Sequence, residues 1–141
     1  MTTLEYEQIT GQVIGAAMRV HRALGPGFIE SIYEEAMAVE LLEMGIPFER
    51  QVAVPVRYRD RQVGRHRLDL LVAGEVVVEL KAVKAIQPVH QAILMSYLRA
   101  TEKRIGLLIN FRAKSLRPQR ILNPSAPPDP AVARRVRTKN S

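Results

Sequence analysis

Asp69, Glu79 and Lys81 are the residues whose types and spacing first suggest chemistry. Glu79 and Lys81 lie two apart in residues 76–83, Val-Val-Val-Glu-Leu-Lys-Ala-Val, a run apolar enough to be a buried strand. Side chains alternate across a strand, so the carboxylate and the ammonium share one face. Val76, Val78, Leu80 and Ala82 make the other, which is wholly apolar. Residues 66–72 read as the preceding hairpin partner, with Ala73-Gly74-Glu75 as the turn. A three-residue loop centred on Gly74 sets Asp69 opposite Glu79. A bulged turn one residue earlier leaves the pair diagonal on the same face. A one-residue slip would separate them and turn Leu68 and Leu70 away from the core. Two carboxylates about 5 Å apart at Cβ repel. A divalent cation between them relieves this, because hard Mg²⁺ is held by one or two carboxylates plus substrate phosphate. The alternative is a Glu79–Lys81 ion pair on a half-exposed sheet.

The elements that must position these residues follow from pattern. Residues 4–24 place Ile9, Val13, Ala16, Ala17, Val20 and Leu24 at helical spacing, and Gly25-Pro26-Gly27 breaks the chain. A second helix is expected from about residue 28 to 44, burying Ile29, Ile32, Ala36, Val39 and Leu42. Gly45 caps it and Pro47 prevents its continuation. Glu30, Tyr33 and Glu34 share a face of that helix, and an acidic first turn also suits its dipole. Residues 48–59 alternate as a strand in which Pro55 argues for an edge or a bulge. Asp60-Arg61-Gln62 turns it into a strand over residues 63–72. Residues 88–102 begin with Pro88 and make a third helix, with Val89, Ile93, Tyr97 and, on a flank, Ala100 down one side. The near-continuous apolar run over residues 104–111 predicts a buried strand with a parallel neighbour. Residues 119–122 suit a short edge strand. The expected order is α-α-β-β-β-α-β, an α/β (α+β) mixed sheet.

At 141 residues the chain has room for one domain with a real core. It has no cysteine, which excludes disulfides, thiol nucleophiles and thiolate metal sites. With three scattered histidines a zinc site is not expected either. No apolar run reaches the ~18 residues of a membrane span, and the N-terminus lacks a signal pattern, so a cytoplasmic location is expected. The formal charge is +7. Eight Lys/Arg and one acidic residue fall from Arg112 onward, leaving thirteen of each sign before it. The excess positive charge therefore lies at the C-terminal end, where it suits phosphate backbones or simply a solvated tail. Residues 1–122 form the expected domain. Residues 123–141, Pro-rich and basic, cannot build a core and are expected to be disordered.

The run Val20-His21-Arg22-Ala23-Leu24-Gly25-Pro26-Gly27-Phe28-Ile29-Glu30-Ser31-Ile32-Tyr33 resembles the GxxExxY protein family, with Gly27, Glu30 and Tyr33 in the naming positions. Arg67-Leu68-Asp69-Leu70-Leu71-Val72, Glu79-Leu80-Lys81-Ala82-Val83, Ser96-Tyr97-Leu98-Arg99-Ala100-Thr101 and Leu107-Leu108-Ile109-Asn110-Phe111 look like the same family, in order, over residues 5–122. That family is placed in the PD-(D/E)XK nuclease superfamily, so a restriction-endonuclease-like core is implied. The resemblance implies roles residue by residue. Asp69 is the motif aspartate, Glu79 the second carboxylate, Lys81 the motif lysine and Glu30 the helix glutamate that completes the metal site. The Leu80 carbonyl is an implied further metal ligand. Tyr33, Arg67 and His21 are the implied substrate contacts. Leu68 stands where the motif has proline. Ile93 stands where many relatives carry a glutamine one turn before the tyrosine, Gln91 being six residues before Tyr97.

The activity so implied is Mg²⁺- or Mn²⁺-dependent hydrolysis of phosphodiester bonds in DNA or RNA. The metal would lower the pKa of the attacking water, and Lys81 would orient it or neutralise developing charge. Two other readings compete: a nucleic-acid-binding module that keeps the fold without turnover, and a partner-binding protein whose acidic face holds an ion. With few aromatics and no separate recognition module, sequence specificity would come from a protein partner.

Overall fold

The computed structural model describes residues 2–126, so residues 127–141 of the expected tail lie outside the described part. The elements run α1 (Thr3–Leu24), α2 (Glu30–Glu43), β1 (Phe48–Tyr58), β2 (Arg61–Val72), β3 (Val76–Lys81), α3 (Pro88–Thr101), β4 (Ile105–Asn110) and β5 (Gln119–Leu122). The strands form one sheet in the order β1-β2-β3-β4-β5. β1, β2 and β3 are antiparallel, β3 and β4 parallel, and β4 and β5 antiparallel. This is the expected mixed α/β architecture. Residues 105–110 do have the parallel neighbour their apolar run predicts, and Pro55 does lie on an edge strand.

Two apolar clusters sandwich the sheet. Val13, Ala16, Ala17 and Val20 of α1 and Tyr33, Met37 and Leu41 of α2 pack on Leu70, Val72, Val76, Val78 and Leu80. On the other side Leu94 and Leu98 of α3 pack on Leu68, Val77 and Leu108. Gly106 makes room there: a Cβ on it would stand 2.9 Å from a Leu94 methyl.

α1 buries the face its periodicity predicts. α2 does not. Ile29, Ile32, Val39 and Leu42 are exposed, and Tyr33, Glu34, Met37, Ala38 and Leu41 are buried. The helix is apolar on both sides, so spacing alone cannot choose between them. Polar anchors decide. The Tyr33 hydroxyl donates to Gly25 O at 2.6 Å and accepts from Phe28 N at 3.3 Å, while its ring stacks on Phe111 at 4.4 Å. Glu34 is pulled inward by Arg50, whose Nη2 lies 2.9 Å away. α3 is likewise turned from expectation: Leu94 and Leu98 are its buried residues, with Val89 and Ile93 exposed.

The first hairpin turn also differs. Tyr58 pairs with Arg61, so the turn is Arg59-Asp60, both at positive φ (49° and 61°), in place of Asp60-Arg61-Gln62. A two-residue turn with both residues left-handed follows the natural strand twist. The extra residue instead appears as a bulge at Val63, opposite Val56 and Arg57.

The α2 orientation is testable by urea unfolding. Leu41→Ala should cost about 2–5 kcal/mol, as core truncations do, whereas Leu42→Ser one residue away should stay within about 0.5 kcal/mol. The opposite order would restore the face that periodicity favours.

Candidate functional site

The site begins where β2 and β3 part. Their ladder pairs Val72 with Val76, Leu71 with Val77 and Leu70 with Val78, around a three-residue loop. The next opposed residues are Asp69 and Glu79. Here the strands are joined through side chains. Glu79 Oε1 accepts the Asp69 N–H at 3.3 Å, and Asp69 Oδ2 accepts the Leu80 N–H at 2.9 Å. Each carboxyl satisfies a backbone donor on the opposite strand.

The alternation of faces breaks at the same level. Leu70 packs with α1 and α2, but Leu68 packs with α3. The expectation that both share one core side is therefore corrected. Across on β1, Gln51 lies between the pairs Arg50–Leu70 and Val52–Leu68 with a φ of 50°. The local shift turns Gln51 and Asp69 toward the first turns of α2. Gln51 Nε2 donates to Glu34 Oε1 and reaches Asp69 Oδ1 at 3.5 Å. The result is an open cleft of about 580 Å³, lined by Ile29, Glu30, Ser31, Glu34, Gln51, Asp69, Leu80 and Ala82.

Glu79, bonded to Asp69 N–H, is only 5% exposed. Burial, reinforced by the Asp69 charge, pushes its pKa up to about 8 against a partial counter-effect of Lys81. The Asp69 carboxyl is also raised, first by burial and then by Glu34 and Glu30, although its bond from Leu80 N–H opposes this. Lys81 Nζ is 3.8 Å from Glu79 Oε2, so the ion pair weighed from sequence is present, but on a carboxyl that is nearly enclosed. Arg50 is committed elsewhere, bonding both Glu34 and Glu35 and holding the Glu35 carboxyl below its usual range. On the α3 side the Tyr97 hydroxyl is raised by burial and by the two carboxylates. Its ring lies 4.4 Å from that of His66, whose Nε2 is 3.2 Å from Ser96 Oγ. Beyond Lys81, Asn110 fixes the chain. Its Oδ1 accepts Val83 N–H at 3.0 Å and its Nδ2 donates to Val83 O at 2.9 Å.

The structure thus brings Asp69, Glu79, Lys81 and Glu30 to one region. Glu30 Oε1 accepts Ala82 N–H at 3.3 Å there. Among the described residues no three His, Cys, Asp or Glu side chains stand close enough together to hold a metal ion. The carboxylate pair that remains suits a cation such as Mg²⁺, which keeps several waters and takes one or two carboxylates with substrate phosphate. Two oxygens keep acceptor capacity for this fit among the described residues: Asp69 Oδ1, which accepts from Gln51 at 3.5 Å, and Glu79 Oε2, which pairs with Lys81 at 3.8 Å.

The remaining candidates occupy different surroundings. Tyr33 is fully buried, its hydroxyl bonded to Gly25 and Phe28, so it braces the core. His21 lies 2.7 Å from Ala113 O and ties α1 to the loop after β4. Arg67 is exposed on β2 beside the cleft, two residues from Asp69. Gln91 bonds Gln119 at 2.7 Å and contributes nothing to the cleft. Glu34 and Gln51 were not among the candidates. Glu34 had a signal, one turn after Glu30 on the same face; Gln51 had none, because positive φ in a non-glycine strand residue is invisible in sequence.

A family model for the PD-(D/E)XK nuclease superfamily matches residues 7–121. Among solved structures, the protein SSO0001 is similar over 93% of this chain and 72% of its own, at 16% identity and a TM-score of 0.45. No curated protein matches.

The Glu79 environment predicts a pH signature. Its folded pKa lies above its unfolded value, so its contribution to stability is whole below about pH 4.5 and is lost as pH rises through 8. Without added metal, Glu79→Gln should remove a loss of roughly 5 kcal/mol across that window, read as the difference between variant and wild-type stability curves. Parallel curves would mean that Glu79 carries no buried charge penalty.

Proposed function

We propose that this chain, which belongs to the PD-(D/E)XK nuclease superfamily, is a divalent-metal-dependent nuclease that hydrolyses phosphodiester bonds in nucleic acid. We assign it to the GxxExxY group on the spacing of Gly27, Glu30 and Tyr33. The observation that carries the reading is the meeting of Asp69 and Glu79 at the fork of β2 and β3, with Lys81 3.8 Å from Glu79.

Asp69 and Glu79 would hold Mg²⁺ or Mn²⁺, with Glu30 and the Leu80 carbonyl as the further ligands carried over from the motif. The ion, when bound, supplies a lowered water pKa and positive charge at the scissile phosphate. The chain's own groups do the rest. Glu79 holds a proton at neutral pH and must release it to become a ligand, so metal affinity should rise toward pH 8. Lys81 Nζ, 3.8 Å from Glu79 Oε2, can orient the attacking water or meet charge developing on phosphate. The open cleft leaves room for a backbone to enter. Sequence choice, if any, would come from a protein partner.

A second reading is a binding module without turnover. One observation favours it: Asp69 and Glu79 already have a structural task, accepting backbone N–H groups across the fork.

Single-turnover cleavage of single- and double-stranded DNA and RNA with Mg²⁺ or Mn²⁺ separates the two. Asp69→Ala should abolish both metal-induced thermal stabilisation and cleavage. Lys81→Ala should retain metal-induced stabilisation and lose 10²–10⁴-fold in rate, roughly the cost of removing an acid–base or electrostatic group. Lys81→Arg should rescue little, since guanidinium has neither the point geometry nor an accessible pKa. A metal-stabilised wild type that binds but never cleaves would establish the module instead.

A further inference from the structure

β2 pairs with β3 only from Leu70 onward, so residues 61–69 continue with β1 alone as a two-stranded ribbon. Nine residues of strand reach about 30 Å. Val52, Val54 and Leu68 turn one face of this ribbon onto α3. The other face is open: Ala53, Pro55, Arg65 and Arg67 are all exposed. Arg65 and Arg67 stand two and four residues before Asp69 on the same strand, in a row that ends at the cleft. Arg57 follows at the outer edge, where it also borders the groove shared with Arg99. None of Arg57, Arg65 and Arg67 forms an ion pair among the described residues, although acidic partners hold Arg19 and Arg50. Unpaired guanidinium groups in a line beside an acidic cleft form a phosphate-binding surface, because planar Arg donors match phosphate oxygens bidentately.

We propose that this open ribbon face is the track that leads the sugar–phosphate backbone of a nucleic-acid duplex to the cleft, with Arg57, Arg65 and Arg67 as its phosphate contacts. The assignment rests on the reading that Asp69 marks the reaction centre. The duplex follows from what the face lacks. Proteins that grip single strands stack bases on aromatic rings. The open face carries no aromatic side chain, and the exposed Tyr58 at the tip is partnered by Arg59, 5.6 Å from its ring centroid. A surface of charge without stacking holds phosphates and leaves bases unread, which suits a duplex whose bases are turned inward.

The test is fluorescence anisotropy of the full chain, without divalent metal, on equal-length DNA duplex, RNA duplex and single-stranded DNA across a salt series. The probe protein is R57A/R65A/R67A, checked against wild type by circular dichroism and melting; these exposed, unpaired side chains can be removed without opening the core. The basic C-terminal stretch is common to both proteins and cancels in the comparison. Each lost phosphate contact should lower the log–log salt slope by about 0.9 on duplex, so the variant should lose between roughly 2 and 3 and bind about 10²-fold more weakly at 0.1 M salt. The duplex arm that shows this loss identifies DNA or RNA as the source of the backbone. An unchanged slope on both duplexes, or wild-type binding to single strands as tight as to duplex, overturns the proposal. If the slope falls but wild type cleaves nothing with Mg²⁺ or Mn²⁺, the track stands and the nuclease reading fails. If wild type cleaves and the variant binds and cleaves equally well, the track alone fails.

Discussion

Two carboxyl groups are buried against each other where a hairpin forks, and most of the surrounding structure serves to tolerate that conflict. Glu79 and Asp69 cannot stay close and ionised at low cost in a low-dielectric place. Three local arrangements reduce the penalty. Each carboxyl accepts a backbone N–H from the other's strand, Lys81 stands within Coulomb range, and Glu79 keeps its proton until about pH 8. Of these, Lys81 alone carries a positive charge, and it stands on the Glu79 side, 3.8 Å from Oε2. The neighbouring Glu34 and Glu30 raise the Asp69 carboxyl further, so negative charge gathers on this one spot.

The centre of this arrangement was legible in the sequence because strand register is a counting problem. Ala73-Gly74-Glu75 as a three-residue loop sets Asp69 opposite Glu79, and the structure has that loop. Residue spacing also gave α1, the parallel neighbour of β4 and the edge position of Pro55. The helix faces were harder. α2 offers two apolar sides, and the choice between them is made by contacts distant in sequence: Tyr33 with Gly25 and Phe111, Glu34 with Arg50. The break in alternation at Asp69 and Gln51 was not legible at all. It depends on a left-handed Gln51 and on side-chain bonds that take over from the ladder, neither of which has a residue signature. It also explains why Leu68 and Leu70 feed different cores.

The site and its surroundings divide the charge sharply. Acidic groups gather under the first turns of α2, whereas the ribbon beyond the fork carries arginines that form no ion pair among the described residues. Such a division would be unfavourable for a protein that only needed to fold, since pairing these groups would cost little and gain a few tenths of a kcal/mol each. It is the division on which the proposed carboxyl site and the proposed phosphate track both rest.

The fork has a consequence for the order of events in folding. Asp69 and Glu79 are ten residues apart and their hairpin closes a short loop, while β3 must wait for α3 before Val76 can meet Ile105. Closure across the longer segment costs more chain entropy and comes later. The two carboxyls therefore meet while still wet, and the cost of burying Glu79, as proton uptake below about pH 8 and as repulsion from Asp69 above it, arises only as β4 and α3 cover it. A penalty that matures after the barrier hastens unfolding and leaves the rate of folding almost untouched. The lifetime of the native state, more than the speed of reaching it, is then what an ion bound at the fork would govern.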